Sequence, residues 1–417
     1  MYRVFKFGGA SIRDIEQIKN VGRILLAFNE ENLVVVFSAM GKVTNMLEDV
    51  VDSYIKRTDV CISKLNKVKD FHLFILEGLF DKDHDIYNKI NNLFLEIEWV
   101  LEVDPNEDSA YYYDQIVSVG EFLSTEIMSA YLLKIGFDNI WYDARDLIRT
   151  DNTYRNAKVD WGQTTMFIDS QIKDKHCITQ GFLGCTSENF TTTLGREGSD
   201  FSAAILAFSL NAKELVIWKD VPGLMNADPA YFEDAELLER VSFDEAIELA
   251  YFGAKVIHPK TIQPLKKKSI PLRIKSFLNP TANGSRIIDE GAVKKEIPSY
   301  IIKKDQILIS ISDASLAFII ETHMSQIFSL LAFYAVEVNM MQNSAVSFSI
   351  CVDNDKYKIP KLIQDLKDQF NVFYNDELTL YTVRNYTSKS LYNLVGDKEI
   401  LLEQRTRNTF QVVLRDI

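Results

Sequence analysis

The chain has 417 residues, of which 46 are Lys or Arg and 59 are Asp or Glu, giving a formal charge of −13. Apolar residues make up 47% and charged residues 25%, the balance of an ordinary globular protein with two to three domains. The acidic excess argues against nucleic acid or an anionic membrane as a partner, although a few local cations could still bind a small anion. The sequence predicts neither a transmembrane nor a signal segment, and we expect a cytoplasmic protein.

The four cysteines and five histidines are scattered along the chain. They form no C-x-x-C pair and no H-E-x-x-H motif, so the sequence predicts no protein-held zinc or histidine-bound metal. His176 and Cys177 are neighbours, but adjacent residues on a strand point to opposite faces, which argues against a nucleophilic pair.

Short apolar runs alternate with longer segments of helical period over the first 300 residues. Such alternation predicts an α/β fold with an open, mostly parallel sheet sandwiched by helices, whose ligands bind outside the carboxyl ends of the strands. Residues 46–108 show only helical patterns and are expected to form a helical excursion from the sheet. The predicted strands are Arg3–Phe7, Leu33–Ser38, Cys177–Gln180, Glu214–Lys219 and Leu272–Lys275, and the predicted helices are Ile12–Asn29, Gln115–Ile135, Asp200–Leu210 and Phe243–Tyr251.

A second pattern begins near residue 303. Strands and short helices in the order βαββαβ predict a small α+β domain of the ferredoxin-like kind. This change of pattern alone places the boundary between predicted domains 1–302 and 303–417. The predicted strands here are Gln306–Ser312, Ala345–Asp353, Leu378–Arg384 and Phe410–Leu414, and the predicted helices are Met324–Ala335 and Pro360–Phe370.

Glycine-containing loops follow the first two predicted strands. In Lys6–Ser11 (K-F-G-G-A-S), glycine amides, a helix N-terminus and the Lys6 ammonium suit a polyphosphate, and an ordinary strand-to-helix turn explains the segment equally well. In Ser38–Asn45, the Ser38 and Thr44 hydroxyls could hold a carboxylate, although a plain loop between strand and helix remains the commoner explanation.

Two later segments also carry residues that chemistry needs. In Thr192–Asp200, Arg196 stands among glycines, which favours an anion-binding loop over a helix cap alone. The turn Lys219–Pro229 could meet a nucleotide base. Phe252–Pro259 places Lys255 at a junction of helix and loop, although a lone lysine is more often a solvated surface residue. Phosphoryl transfer would combine these parts, because it needs positioning and cations, with Mg²⁺ carried by the nucleotide.

In their order and spacing these motifs resemble the aspartokinase family of the amino-acid kinase superfamily. The resemblance covers nearly all of residues 1–300 and implies that residues 303–417 are an ACT-type regulatory region whose second unit is reduced. It implies ATP-dependent phosphorylation of the side-chain carboxylate of L-aspartate to 4-phospho-L-aspartate, the first step toward lysine, threonine and methionine. The matching segments are Lys6–Ser11, Ser38–Asn45, Gly195–Asp200, Asp220–Pro229, Tyr251–Pro259 and Ser276–Gly284.

The resemblance also implies roles for individual residues. Arg196 would pair with a substrate carboxylate, Glu121 would meet the substrate ammonium, and Asp200 would organise lysine and metal. Ser38, Thr44 and Ser199 would add hydrogen bonds to the substrate. The residues implied to serve the phosphates, the nucleotide and the transition state are Lys6, Gly8, Gly9, Ser11, Lys219, Asp220, Met225 and Lys255, and those implied for an effector are Asn339 and Met340.

This chain departs from the family pattern at three positions: Glu197 stands where many members have glycine, Lys219 replaces a small hydroxyl residue, and Ala230 replaces a basic residue. The resemblance further implies a homodimer or higher homo-oligomer formed through the ACT region, and feedback control by lysine or threonine. Two alternatives stay open. One is a kinase for another small acid such as glutamate or acetylglutamate, and the other is a non-catalytic amino-acid sensor.

Overall fold

A computed structural model describes residues 1–105, 109–173, 175–254, 257–289, 297–313, 318–396 and 398–415. The chain divides into two compact units. The first comprises Met1–Leu224, Leu237–Ile247 and Val256–Val293, and the second comprises Met225–Glu236, Glu248–Lys255 and Lys294–Ile417.

An eight-stranded sheet organises the first unit. Its strands are β1 (Tyr2–Phe7), β2 (Asn32–Phe37), β3 (Ile140–Tyr142), β4 (His176–Gln180), β7 (Leu215–Lys219), β8 (Arg240–Ser242), β9 (Leu272–Ser276) and β10 (Ser285–Ile288), and a separate ribbon pairs β5 (Leu183–Cys185) with β6 (Thr191–Thr193). The order is β3-β4-β2-β1-β7-β9-β10-β8, with parallel neighbours except for the antiparallel pair β9 and β10. The predicted open, mostly parallel sheet is confirmed.

Helices flank this sheet and fill the segment that was expected to be helical. The helices are α1 (Ile15–Leu26), α2 (Val43–Ile55), α3 (Cys61–Leu79), α4 (Ile86–Glu102), α5 (Ser109–Val117), α6 (Val119–Lys134), α7 (Ala144–Leu147), α8 (Trp161–Gln171), α9 (Gly198–Ser209) and α11 (Pro259–Lys267), and a 3₁₀ turn covers Gly9–Ile12. Helix α10 (Phe243–Phe252) belongs to the first unit up to Ile247 and to the second unit from Glu248.

The single helix predicted over Gln115–Ile135 is in fact two helices, α5 and α6, which meet at Ser118. The Ser118 hydroxyl donates to the Gln115 carbonyl at 3.2 Å, a local bond of the kind that competes with the helical ladder. By length and composition Ser109–Lys134 could cross a membrane, but 83% of its most apolar window is buried inside the structure, as in the core helices of soluble proteins.

The central strands lie in the core of the first unit because their residues are almost continuously apolar. In β2 the run Leu33–Phe37 is fully buried, the pattern of a strand covered on both faces. Phe7 stacks between Phe37 and Trp218, at ring-centroid distances of 5.6 and 5.7 Å. This aromatic stack fixes the carboxyl ends of β1, β2 and β7 side by side.

The second unit contains a six-stranded antiparallel sheet of order β12-β13-β11-β14-β16-β15. Residues 299–384 follow the predicted order βαββαβ, and the long strands β11 and β14 pair along their lengths. Two of these strands, β12 and β15, lie outside the predicted elements. The elements are β11 (Ser299–Asp313), α12 (Glu321–Phe333), β12 (Val338–Asn343), β13 (Phe348–Asp353), α13 (Ile359–Lys367), β14 (Phe370–Arg384), α14 (Ser388–Val395), β15 (Glu399–Arg405) and β16 (Thr409–Arg415).

Candidate functional site

A cavity of about 470 Å³ opens at the carboxyl ends of β1, β2 and β7, where parallel sheets usually bind ligands. It brings together many of the residues singled out from the sequence. Those residues are Lys6, Ser38, Thr44, Glu121, Arg196, Ser199, Asp200 and Lys219, and the cavity is also lined by Tyr113, Arg155, Phe182, Gly195, Glu197 and Gly198.

Two lysines share one buried carboxylate in this cavity. The Lys6 Nζ lies 2.6 Å from Asp200 Oδ1, and the Lys219 Nζ lies 3.3 Å from Asp200 Oδ2. Burial by itself raises the pKa of the Asp200 carboxyl, but the two ammonium groups outweigh it and hold that pKa below its ordinary value. The trio keeps one net positive charge at the ends of β1 and β7, which suits an anionic ligand.

The loop before α9 exposes the Arg196 side chain to the cavity. Gly195 has a φ of 77°, in the left-handed region that favours glycine. Behind the loop, a Cβ added to Gly181 would lie 2.5 Å from the Ser199 Cβ. Glycine at position 181 therefore lets the end of β4 approach the first turn of α9.

Glu121 lies in the first turn of α6 and is buried in the cavity wall. Its Oε1 accepts a hydrogen bond from the Ala39 N–H at 3.3 Å, while its Oε2 has no hydrogen-bond partner among the described residues. Burial raises the pKa of this carboxyl to about 8, against the opposing effects of the Ala39 amide and Lys6. A ligand with a positive donor would supply the missing partner and favour the ionised form.

The loops after β1 and β2 pack directly against each other. The Gly41 N–H donates to the Gly9 carbonyl at 3.0 Å, and a Cβ on Gly9 would lie 2.7 Å from the Ala39 carbonyl oxygen. The buried Ser11 hydroxyl donates to the Gly8 carbonyl at 2.6 Å, which closes the turn. These glycines shape the loop beside Lys6, although neither they nor Ser11 line the cavity itself.

Three predicted nucleotide residues are not among those that line the cavity. Asp220 is exposed just beyond β7, outside the cavity lining. Met225 belongs to the second unit, and Lys255 falls outside the described residues. Their roles stay predictions.

The effector residues named from the resemblance are also in the second unit. Asn339 Nδ2 donates to Gln306 Oε1 at 2.8 Å and to Asp353 Oδ1 at 2.9 Å, and Asn339 Oδ1 accepts from Lys303 Nζ at 2.6 Å. Met340 is buried. The Asn339 amide thus belongs to a polar network of its own sheet.

Sequence reasoning missed Arg155 and the carboxylate that holds it. The Arg155 N–H donates to both oxygens of Asp114, at 3.1 and 3.0 Å, and the Thr193 N–H and hydroxyl donate to the same carboxylate at 2.8 and 2.7 Å. The Arg155 guanidinium lies 4.1 Å from the centre of the Tyr113 ring. One signal was available, since an acidic residue within an apolar helical run requires buried partners.

The cavity offers few ligands for a resident metal. Over the described ranges, no group of three His, Cys, Asp or Glu side chains is arranged to hold an ion. Both oxygens of Asp200 already face lysines. This donor set fits a divalent cation that arrives with phosphate oxygens and water, as Mg²⁺ commonly does.

Comparison with known sequences gives two kinds of relative. The sequence model of the amino acid kinase family matches residues 1–276. The chain is 32% identical over 407 residues to the chloroplastic aspartokinase 1 of Arabidopsis thaliana, covering 94% of this chain and 70% of that protein. It is 30% identical to the chloroplastic bifunctional aspartokinase/homoserine dehydrogenase 2 of the same plant, covering 89% of this chain but only 42% of that longer relative.

Solved structures agree with the sequence relatives. Escherichia coli aspartokinase III, crystallised with aspartate and ADP in its R-state, is 26% identical with a TM-score of 0.82, covering 99% of this chain and 96% of that one. Its complex with lysine and aspartate, the T-state, has a TM-score of 0.84 at the same identity and coverage. Family match, relatives and fold together show that this chain belongs to the amino acid kinase family, within its aspartokinase branch.

Proposed function

We propose that the protein is an aspartate kinase that uses ATP to phosphorylate the side-chain carboxylate of L-aspartate, yielding 4-phospho-L-aspartate and ADP. The observation that carries this proposal is the Lys6–Asp200–Lys219 trio beside Arg196 and Glu121 in one cavity. Lys6 and Lys219 would then serve the phosphates, while Arg196 and Glu121 would pair with the carboxylate and the ammonium of the amino acid. The aspartokinase relatives support the same activity.

The chemistry requires little from the protein beyond placement and charge. An oxygen of the ionised aspartate side chain attacks the γ-phosphorus, an O–P bond forms, and the bond from the γ-phosphorus to the bridging oxygen of ADP breaks. The attacking carboxylate carries no proton, so no general base is needed. Lys6 and Lys219 would balance charge on the transferred group, whose transition state is loose.

Arg196 and Glu121 would fix the orientation of the amino acid. Arg196 is exposed in the cavity and can bind a carboxylate bidentately. Glu121 Oε2, which has no partner in the described part of the chain, can accept from the ammonium. Ser38, Thr44 and Ser199 supply hydroxyls to the same cavity. Mg²⁺ would enter with ATP and neutralise phosphate charge, and the buried carboxylate of Asp200 would help to organise lysine and metal in the cavity.

The second unit would regulate this reaction. Its ferredoxin-like sheet fits the ACT-type region implied for residues 303–417, and the T-state of E. coli aspartokinase III contains lysine. Lysine is therefore the first effector to test and threonine the second. A homo-oligomer formed through this region and a cytoplasmic location complete the proposal.

A hydroxamate assay tests the activity, because hydroxylamine traps acyl phosphates. The purified chain is incubated with ATP, Mg²⁺ and either aspartate, glutamate or acetylglutamate. Product from aspartate is expected, product only from another acid would identify a different small-acid kinase, and no product from any acid would indicate a sensor.

Substitution of Arg196 tests the assignment of the site. Arg196→Ala should lower kcat/KM for aspartate by about 30-fold to 1,000-fold, the equivalent of roughly 2–4 kcal/mol for a truncated charge pair. Arg23→Ala, at an exposed position on α1, is the matched control. An Arg196→Ala enzyme with unchanged kcat/KM would remove Arg196 from substrate binding.

A further inference from the structure

Three arginines occupy directly opposite positions on neighbouring strands of the eight-stranded sheet. Arg273 on β9 is paired in register with Arg286 on β10, and Arg286 is paired with Arg240 on β8. Side chains at opposite positions share one face of a sheet, with Cβ atoms about 5 Å apart. Like charges at this spacing destabilise a sheet, so the row requires negative charge from elsewhere.

Among the described residues, only Arg273 of these three arginines has an acidic partner. Arg273 Nη2 lies 3.4 Å from Glu214 Oε2, and the other oxygen of Glu214 is already shared with Arg3 Nε at 3.1 Å. Within the described part of the chain, neither Arg240 nor Arg286 forms an ion pair, and Arg286 Nε is buried without a hydrogen-bond partner.

A fourth cation adds to the positive charge of this region. Lys275 follows Arg273 by two residues and so lies on the same face of β9. Burial, together with repulsion from Arg273 and Arg3, lowers the pKa of Lys275 even though Glu214 acts in the opposite direction. The region therefore concentrates positive charge in a protein whose formal charge is −13.

A cavity of about 290 Å³ lies beside Arg240 and Arg286. Its lining consists of Arg240, Ser269, Pro271, Arg286, Ile288 and Asp289. Ser269 adds a hydroxyl donor, and Asp289 is the acidic member of this lining. The cavity lies at the amino end of β9, whereas the catalytic cavity lies at the carboxyl ends of β1, β2 and β7.

We propose that this second cavity, here called the arginine pocket, binds a small tetrahedral oxyanion, namely inorganic phosphate or the phosphate group of a monoester. Arg240 and Arg286 hold the anion through their guanidinium groups, which match phosphate geometry bidentately, and the Ser269 hydroxyl donates a further bond. Binding removes the like-charge repulsion in the row, so the anion also stabilises this edge of the sheet.

The test measures phosphate binding to the full chain by titration calorimetry and by thermal unfolding at constant ionic strength, with chloride replacing phosphate in the reference. Saturating ADP and aspartate occupy the catalytic cavity throughout. Inorganic phosphate and glycerol 3-phosphate are the two probes. Tighter binding of glycerol 3-phosphate would identify an ester as the ligand, and equal binding would identify free phosphate, both in support of the pocket.

Arg240→Gln and Arg286→Gln should each weaken phosphate binding at least tenfold and abolish the phosphate-dependent rise in Tm. Arg23→Gln on α1 is the control and should behave as the unsubstituted protein. Without phosphate, Arg286→Gln should be at least as stable as the unsubstituted protein, because it removes a like charge from the row. Absence of a phosphate-dependent shift in the unsubstituted protein, or full binding by Arg286→Gln, would overturn the proposal.

Discussion

The buried carboxyl of Glu121 should make the stability of the first unit depend on pH. A glutamate carboxyl ordinarily has a pKa of 4.5, and burial raises the pKa of Glu121 to about 8 in the folded protein. Below pH 4.5 the proton is bound in both states, so burial carries no charge penalty. Between pH 4.5 and 8 only the unfolded chain loses its proton, and the free energy of unfolding must fall.

The size of the effect follows from the same two pKa values. The free energy of unfolding should fall by at most about 5 kcal/mol between pH 4.5 and pH 8, since each pH unit contributes about 1.4 kcal/mol. Glu121→Gln is neutral at every pH and should not show the loss. The stability of the unsubstituted protein relative to Glu121→Gln should therefore decline steadily from pH 5 to 8 and then level off.

Urea unfolding followed by tryptophan fluorescence measures this difference at pH steps from 5 to 8.5. All four tryptophans, at positions 99, 141, 161 and 218, belong to the first unit, so the signal reports that unit alone. Glu77→Gln, at an exposed position on α3, is the control and should give a constant offset. A difference between Glu121→Gln and the unsubstituted protein that stays flat across this range would refute the reasoning.

Three further substitutions test other parts of the structure. Glu197 has a left-handed φ of 53° and a buried Oε2 without a partner among the described residues. Glu197→Gly should therefore raise the free energy of unfolding by about 1 kcal/mol in urea titrations. A lower free energy of unfolding for Glu197→Gly would show that the backbone at this position is not strained. Asp114→Asn should lower the free energy of unfolding by about 2–3 kcal/mol, because one amide oxygen cannot accept all the hydrogen bonds from Arg155 and Thr193. An Asp114→Asn protein as stable as the unsubstituted one would show that these hydrogen bonds do not stabilise the fold. If lysine or threonine inhibits the enzyme, Asn339→Ala should relieve that inhibition in kinetic assays, and unaltered inhibition would exclude Asn339 from effector binding.

The parts of the fold that were predictable are those dictated by local patterns. Continuous apolar runs such as Leu33–Phe37, rich in valine and bounded by turn residues, favour strands buried on both faces, and the glycine-bearing loops after them mark the ligand edge of a parallel sheet. The alternation of strands and helices predicted the mostly parallel sheet of the first unit, and the fold class was confirmed, although β3, β8 and β10 lie outside the predicted strands.

The parts that were not predictable depend on contacts distant in sequence. Arg155 enters the cavity because Asp114, 41 residues earlier, accepts its backbone amide. Strand β12 exists because it pairs with β13, and little in its own residues 338–343 distinguishes it from a loop. In the sequence Lys219 is a departure from the family pattern, and its ammonium lies beside Asp200 only because the fold brings the end of β7 to the start of α9.

The aromatic stack of Phe7 between Phe37 and Trp218 has a consequence for the proposed reaction. Lys6 and Lys219 directly adjoin two of these rings in sequence, so their backbones are held in a packed core. Because the buried Asp200 carboxylate also pairs with both ammonium groups, the fold itself sets the spacing of the two cations. A site preorganised in this way loses little free energy to rearrangement as negative charge develops, which is how fixed charges accelerate a reaction more than mobile ones do.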